Sequence, residues 1–149
     1  MRRSRSSIAN IEQLQTIHVP ATEIYKALTS VQGLSEVWTR ELTVYEQVGA
    51  SNDFRFGDDD LTKMQIVELT PPKRIEWLCT ESDPEWVGTT VSFELNEKHG
   101  KTDVILQHTN WREITNFYRS CNYNWAMFLY SLKTYCEDGA GLPYQDRKF

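Results

Sequence analysis

The chain has 149 residues, enough for one domain with a substantial core and too few for a second. Its net charge is −5, and because Arg2, Arg3 and Arg5 sit at the extreme N-terminus, the remainder is more acidic still; that excludes the clustered basic face on which nucleic-acid binding depends. Aromatic residues make up 12% of the chain, five of them Trp, so large rings must do much of the packing and are available to line a cavity.

In chain order, residues 1–10 read as a disordered tail and 11–141 as the domain. Ile11 to His18 predicts a first strand. Pro20 can open a helix, since its missing N–H would have no partner there, and Ile24, Ala27 and Leu28 follow at helical spacing. A second short helix runs from about Val31 to Trp38, with Leu34, Val37 and Trp38 on one side and Gly33 as a weak point. From Leu42 the period changes to two. Leu42–Gln47, Asp53–Phe56, Leu61–Leu69, Arg74–Thr80, Thr89–Asn96 and Thr102–Thr109 read as strands, separated by turn-forming stretches such as Gly57-Asp58-Asp59-Asp60, Pro71-Pro72 and Lys98-His99-Gly100. Connections this short force antiparallel pairing, since a parallel crossover needs a dozen residues. From Phe117 to Asp138, Tyr118, Cys121, Trp125, Phe128, Leu129, Leu132 and Cys136 recur at i+3/i+4, which predicts a helix of about six turns. Gly139 and Gly141 end it, and Pro143 prevents its resumption. Residues 142–149 form a C-terminal tail.

The wide aromatic stripe of this helix needs a large partner, and the sheet is the one available. Alternation puts Ile75, Trp77 and Cys79 on one face, with Val91, Phe93 and Leu95, and with Thr102, Val104, Leu106 and His108. Phe54 and Phe56 flank Arg55 in the same way. Leu61–Leu69 alternates less cleanly, Met64 and Ile66 falling on one parity and Val67 and Leu69 on the other. The fold class is therefore α+β, a curved antiparallel sheet of about seven strands wrapped around a long C-terminal helix that closes an apolar cavity, with two short helices after the first strand. The expected lining is Trp38, Phe54, Phe56, Met64, Ile66, Trp77, Cys79, Val91, Phe93, Leu106, His108, Trp111, Cys121, Trp125, Phe128 and Leu129.

The order of strand, two short helices, six strands and long helix resembles the helix-grip fold of the START/Bet v 1-like (SRPBCC) superfamily. Within it the chain is similar to the branch of activator of Hsp90 ATPase homologues, often described as polyketide-cyclase-like. The resemblance is carried by Ile24-Tyr25-Lys26-Ala27-Leu28-Thr29 with Leu34 and Trp38, by Glu68-Leu69-Thr70-Pro71-Pro72-Lys73-Arg74-Ile75, and by Thr90-Val91-Ser92-Phe93-Glu94-Leu95. Gly100-Lys101-Thr102, His108, and Trp125, Leu129, Leu132, Glu137 and Gly139 of the helix complete it. Two positions depart from the family pattern: Asn124 stands where Gly often precedes the helical Trp, and Cys79 where a strand Trp is common. The resemblance implies an interior cavity for an apolar or amphipathic small molecule and fixes no reaction.

No residue pattern calls for a cofactor or metal. His18, His99 and His108 lack local ligand spacing, and Asp58-Asp59-Asp60 lacks the rest of a calcium loop and reads as a solvated turn. Cys79, Cys121 and Cys136 are an odd set without CxxC spacing, which suits free thiols in a reducing compartment. No apolar segment follows the N-terminal arginines and no run nears the ~18 residues of a membrane span, so a cytoplasmic protein without membrane insertion is expected. His108 admits two roles, a hydrogen-bonded structural histidine or a general base; the tryptophans admit core packing or a binding wall. Three functional classes follow: a binder of a hydrophobic small molecule or lipid, which the lack of a catalytic constellation favours; an enzyme of cyclase, hydratase or hydrolase type using His108; and a chaperone-associated interaction module. Tyr123, Met127 and Tyr130 lie opposite the Trp125 stripe, so a homodimer through that face is expected, unless the C-terminal tail folds back over it.

Overall fold

The computed structural model describes residues 9–148. Seven strands form one antiparallel sheet in the order β1-β7-β6-β5-β4-β3-β2: β1 Ala9–Ile17, β2 Leu42–Thr43, β3 Ser51–Arg55, β4 Leu61–Thr70, β5 Arg74–Glu81, β6 Thr90–Lys98 and β7 Lys101–Trp111. Helices α1 (Ala21–Thr29) and α2 (Val31–Val37) follow β1, and α3 (Asn116–Asp138) follows β7. Most of the tail expected over 1–10 lies outside the described residues, while Ala9 and Asn10 open β1.

From β2 to β7 each strand pairs with the next across a turn or a loop without helix, and the one non-sequential pair is β1 with β7, which brings the first strand beside the last. The β6–β7 hairpin turns on His99 and Gly100, both at positive φ (55° and 78°), the conformation a two-residue hairpin needs to match strand twist. The uneven alternation of β4 has a definite cause. Ile66 pairs with Trp77 but Glu68 pairs with Glu76, so Val67 is an extra residue, a bulge that resets the parity of everything after it. Met64 and Ile66 before the bulge are buried, Val67 is exposed, and Leu69 beyond it points to the core side again, paired with buried Ile75.

The strand expected over Leu42–Gln47 is shorter than the sequence suggests. It pairs only at Leu42 and Thr43, because the Tyr45 N–H is taken by the Asn52 side-chain oxygen at 2.8 Å and the chain then turns through Gly49, whose N–H donates to Ile66 O. Freed of that pairing, β3 begins at Ser51, two residues before its expected start.

Helix α3 starts on Thr115, whose hydroxyl accepts the Tyr118 N–H at 3.0 Å, and ends at Gly139 in the left-handed conformation, a well-formed cap at each end. Its stripe of Cys121, Trp125, Phe128, Leu129 and Leu132 is buried against the sheet. At about 25 cal/mol per Å² of apolar surface, burying rings of this size makes the stripe the main force holding helix to sheet. Tyr123 and Tyr130 on the far side are 66% and 59% exposed, with Met127 half-buried between them. The described part of the C-terminal tail, residues 142–148, does not cover that face. It runs instead along α2, where a 3-10 turn at Tyr144–Asp146 is held by Tyr144 N–H to Trp38 O (2.7 Å), Leu142 N–H to Ser131 Oγ (2.7 Å) and an Arg40–Asp146 ion pair (2.6 Å).

Candidate functional site

At one end of the sheet the helix and the strand turns stand apart around a cavity of about 790 Å³, within the size range of small-molecule sites. Four segments enclose it. Helix α3 contributes Phe117, Cys121, Asn124 and Trp125; the β3–β4 turn and the start of β4 give Phe56, Asp59, Asp60, Leu61 and Thr62; the end of β5 and the loop after it give Glu81, Ser82, Asp83 and Trp86; Trp38, Tyr144 and Arg147 close the remaining side. The floor is aromatic and continuous. Trp86 stacks with Trp125 at 5.9 Å between ring centroids, Trp125 meets Trp38 at 5.3 Å, Trp38 meets Phe56 at 5.1 Å, and Phe56 meets Tyr144 edge-on at 5.4 Å. The rim is acidic and open to solvent, since Asp59, Asp60, Glu81 and Asp83 are all exposed.

Of the residues expected to line a cavity, Trp38, Phe56, Cys121 and Trp125 stand on its wall. Phe54, Trp77 and Phe128 lie one layer behind and back the wall rings, with Trp38 at 4.5 Å from Phe54 and Trp125 at 5.2 Å from Phe128, and Phe93 lies behind Trp77 and Phe128 in turn. Met64, Ile66, Cys79, Val91, Leu106 and Leu129 are buried in the packed layer between sheet and helix. His108 and Trp111 sit deep under the N-terminal half of α3, their rings 4.9 Å apart.

Trp86 was not among the expected residues, and it is half of the stacked pair. The loop that carries it, between β5 and β6, has no hydrophobic period to read; its one sequence signal is a lone large aromatic amid Ser, Asp, Pro and Glu. The fold places Trp86 by several bonds. Its N–H reaches Asp83 O (2.8 Å), its carbonyl accepts the Thr89 hydroxyl (2.6 Å), and its indole N–H points to Cys121 Sγ (3.3 Å). From outside, the Arg112 guanidinium donates to Pro84 O and Val87 O, and the Thr115 hydroxyl donates to Glu85.

Behind the stacked pair, His108 acts as a brace. It is wholly buried. Trp125 Nε1–H, a donor only, bonds to Nδ1 at 2.9 Å; the ring proton must therefore sit on Nε2, which donates to Thr89 Oγ1 at 2.7 Å. Burial lowers its pKa to about 3, so at neutral pH the ring is uncharged and its one lone pair is engaged. Thiol chemistry is suppressed in the same way, since burial raises Cys121 to about 12 and Cys79 to about 11. Among the described residues no three of His, Cys, Asp and Glu are grouped to hold a metal ion.

A curved antiparallel sheet gripping one long helix, with an aromatic cleft at one end, defines an α+β helix-grip protein. The chain belongs to the activator of Hsp90 ATPase homolog 1-like family, whose model matches residues 18–137. It is similar to the Aha1 dimer from Colwellia psychrerythraea, a solution structure, at 35% identity and a TM-score of 0.83 over 90% of this chain and 100% of that one. DynU16, from the dynemicin biosynthetic locus, matches at 20% identity and 0.74 over 89% of this chain and 48% of its own; CalU16 from Micromonospora echinospora matches at 19% and 0.69 over 86% and 74%. These last two share the fold. No curated protein matches the sequence. Among the described residues no helix is long and apolar enough to cross a membrane.

Proposed function

We propose that this protein binds a hydrophobic or amphipathic small molecule in the cleft between α3 and the β3–β4 and β5–β6 connections. The observation that carries the reading is the unbroken run of ring contacts from Trp86 to Tyr144 beside a space of about 790 Å³. Trp38, Trp86 and Trp125 are themselves buried and show the space only their edges, while Phe56 and Tyr144 are half-buried, a preformed wall of the kind that lines apolar small-molecule sites. A catalytic role for His108 is disfavoured by its full burial and by the two hydrogen bonds that occupy both ring nitrogens. The three free thiols support a reducing, cytoplasmic setting. A dimer through Tyr123, Met127 and Tyr130 is part of the same proposal, supported by the exposure of this face and by the dimeric state named for the 35% identical Colwellia protein. The description of the matched family, activator of Hsp90 ATPase homolog 1-like, supports a second reading, a protein-interaction role beside a chaperone.

Amide NMR during titration with 1-octanol separates the two. Saturable shifts centred on Trp86, Cys121, Trp125 and Tyr144 are expected. Shifts scattered over the surface, or none, would overturn the cavity reading in favour of the interaction module. Native mass spectrometry of protein purified without detergent would then show whether a ligand co-purifies.

A further inference from the structure

Asp59 and Asp60 reach the mouth of the cavity from the β3–β4 turn, Glu81 and Asp83 from the end of β5 and the loop that follows it, and a Thr62–Ser82 hydroxyl contact at 2.8 Å ties the two segments together. None of these four carboxylates has a cationic partner within ion-pair distance among the described residues, although the neighbouring Lys63 is paired with Asp53. The one basic side chain on the wall, Arg147, spends its guanidinium on Leu142 O (2.8 Å) and Val37 O (3.0 Å). Asp60 and Asp83 feel each other across the opening: burial and then the Asp83 charge raise the Asp60 carboxyl above its ordinary value. Asp83 has one oxygen on the Glu85 N–H.

We propose, resting on the ligand-binding reading above, that the cavity selects a small organic cation with an apolar body, the body on the Trp86–Trp125–Trp38 wall and the charged head between Asp60 and Asp83. Two physical effects converge on that class. Ring faces carry negative quadrupole charge and attract ammonium groups, and a mouth whose four carboxylates outweigh the single guanidinium of Arg147, itself held on two backbone carbonyls, concentrates positive charge. A metal ion does not answer the same pattern, since the carboxylates do not group closely enough to ligate one. A quaternary or tertiary ammonium, with its charge spread over several carbons, needs no such convergence. An anionic amphiphile of the same shape meets four like charges at the mouth against one opposite charge, that of Arg147.

The test uses three probes of equal chain length on the intact protein: octyltrimethylammonium, 1-octanol and octanoate, each followed by calorimetry. The cation is expected to bind about tenfold more tightly than octanol and octanoate more weakly than either, at about 20 mM salt; at about 500 mM salt the preference narrows as the rim charge is screened. In the Asp60→Asn/Asp83→Asn variant the cation's advantage should shrink to within about twofold. Equal affinities for all three probes would overturn cation selection while leaving the cavity reading intact. Binding of none of them would remove the cavity reading itself. A cation preference unchanged in the Asn variant would overturn the role given to Asp60 and Asp83, and thermal melting of the variant shows that it is folded.

Discussion

His108 shows how one buried side chain sets the acid response of the fold. In the unfolded chain the imidazole takes up a proton below its ordinary 6.5, whereas in the fold it does so only near 3. Between those values the unfolded state holds more protons, so its contribution to stability is whole above pH 6.5 and is lost as pH falls toward 3, by about 1.4 kcal/mol per pH unit. Urea unfolding at pH 7, 6 and 5 should show this slope, and His108→Gln should flatten it while lowering stability at pH 7 by about 2–4 kcal/mol, since it loses ring contacts and breaks the bond to Trp125 or to Thr89. An unchanged slope in the variant would assign the acid response to other groups. A second expectation concerns Cys121, which lies on the cavity wall yet is 4% exposed and held protonated. Iodoacetamide at pH 8 should leave it and Cys79 unlabelled in the folded protein and modify both in urea, as mass spectrometry would read out. His108's inward direction is legible from the Thr102-Val104-Leu106-His108 alternation. Its partners are not, because Thr89 and Trp86 sit at the edge of a loop whose path depends on bonds to Arg112 and Thr115, distant in sequence.

At the level of elements, periodicity reports what regular backbone does and falls silent where a single residue breaks the pattern. The six-turn helix is legible because its stripe repeats over the whole length of α3, and its caps fall on Thr115 and Gly139. The second strand is overestimated because alternation at Leu42 and Val44 says nothing of the Asn52 side-chain oxygen that takes the Tyr45 N–H. A similar limit applies to Gly33. Its presence suggests a weak helix, but the structure shows it buried where α2 crosses α1, with a Cβ at this position colliding with the backbone of Ala27. The glycine permits the close crossing. Gly33→Ala, which helix propensity alone would rank as stabilising by about 1 kcal/mol, should instead destabilise by about 1–3 kcal/mol through overpacking. Chemical denaturation decides the sign, and a gain in stability would mean that α2 moves freely away from α1.

Across the whole molecule, the architecture is readable from the order of elements, since short connections dictate an antiparallel sheet and the aromatic helix must cover it. The cavity's position is not readable. Alternation sorts residues into inward and outward but carries no information on which inward rings meet one another and which meet solvent, and that depends on where four separate segments fall short of closing. The tail illustrates the same point: Tyr144 and Arg147 help to wall the cavity, while the described residues leave Tyr123 and Tyr130 on the outer face of α3 exposed. Sedimentation velocity at tens of micromolar should therefore give a dimer, and Tyr123→Ser/Met127→Lys should give a monomer. A monomeric parent protein ends the dimer proposal without touching the cavity.

The joined indoles have an optical consequence. Trp77 lies 6.0 Å from Trp38, Trp38 lies 5.3 Å from Trp125, and Trp125 stacks on Trp86 at 5.9 Å. At such separations light absorbed by any one of the four migrates among them before it is emitted, so they behave as a single chromophore rather than as independent reporters. Emission should be poorly resolved by single Trp→Phe changes in the buried members, and a quencher seated at the mouth against Trp86 should darken Trp77, which it never touches.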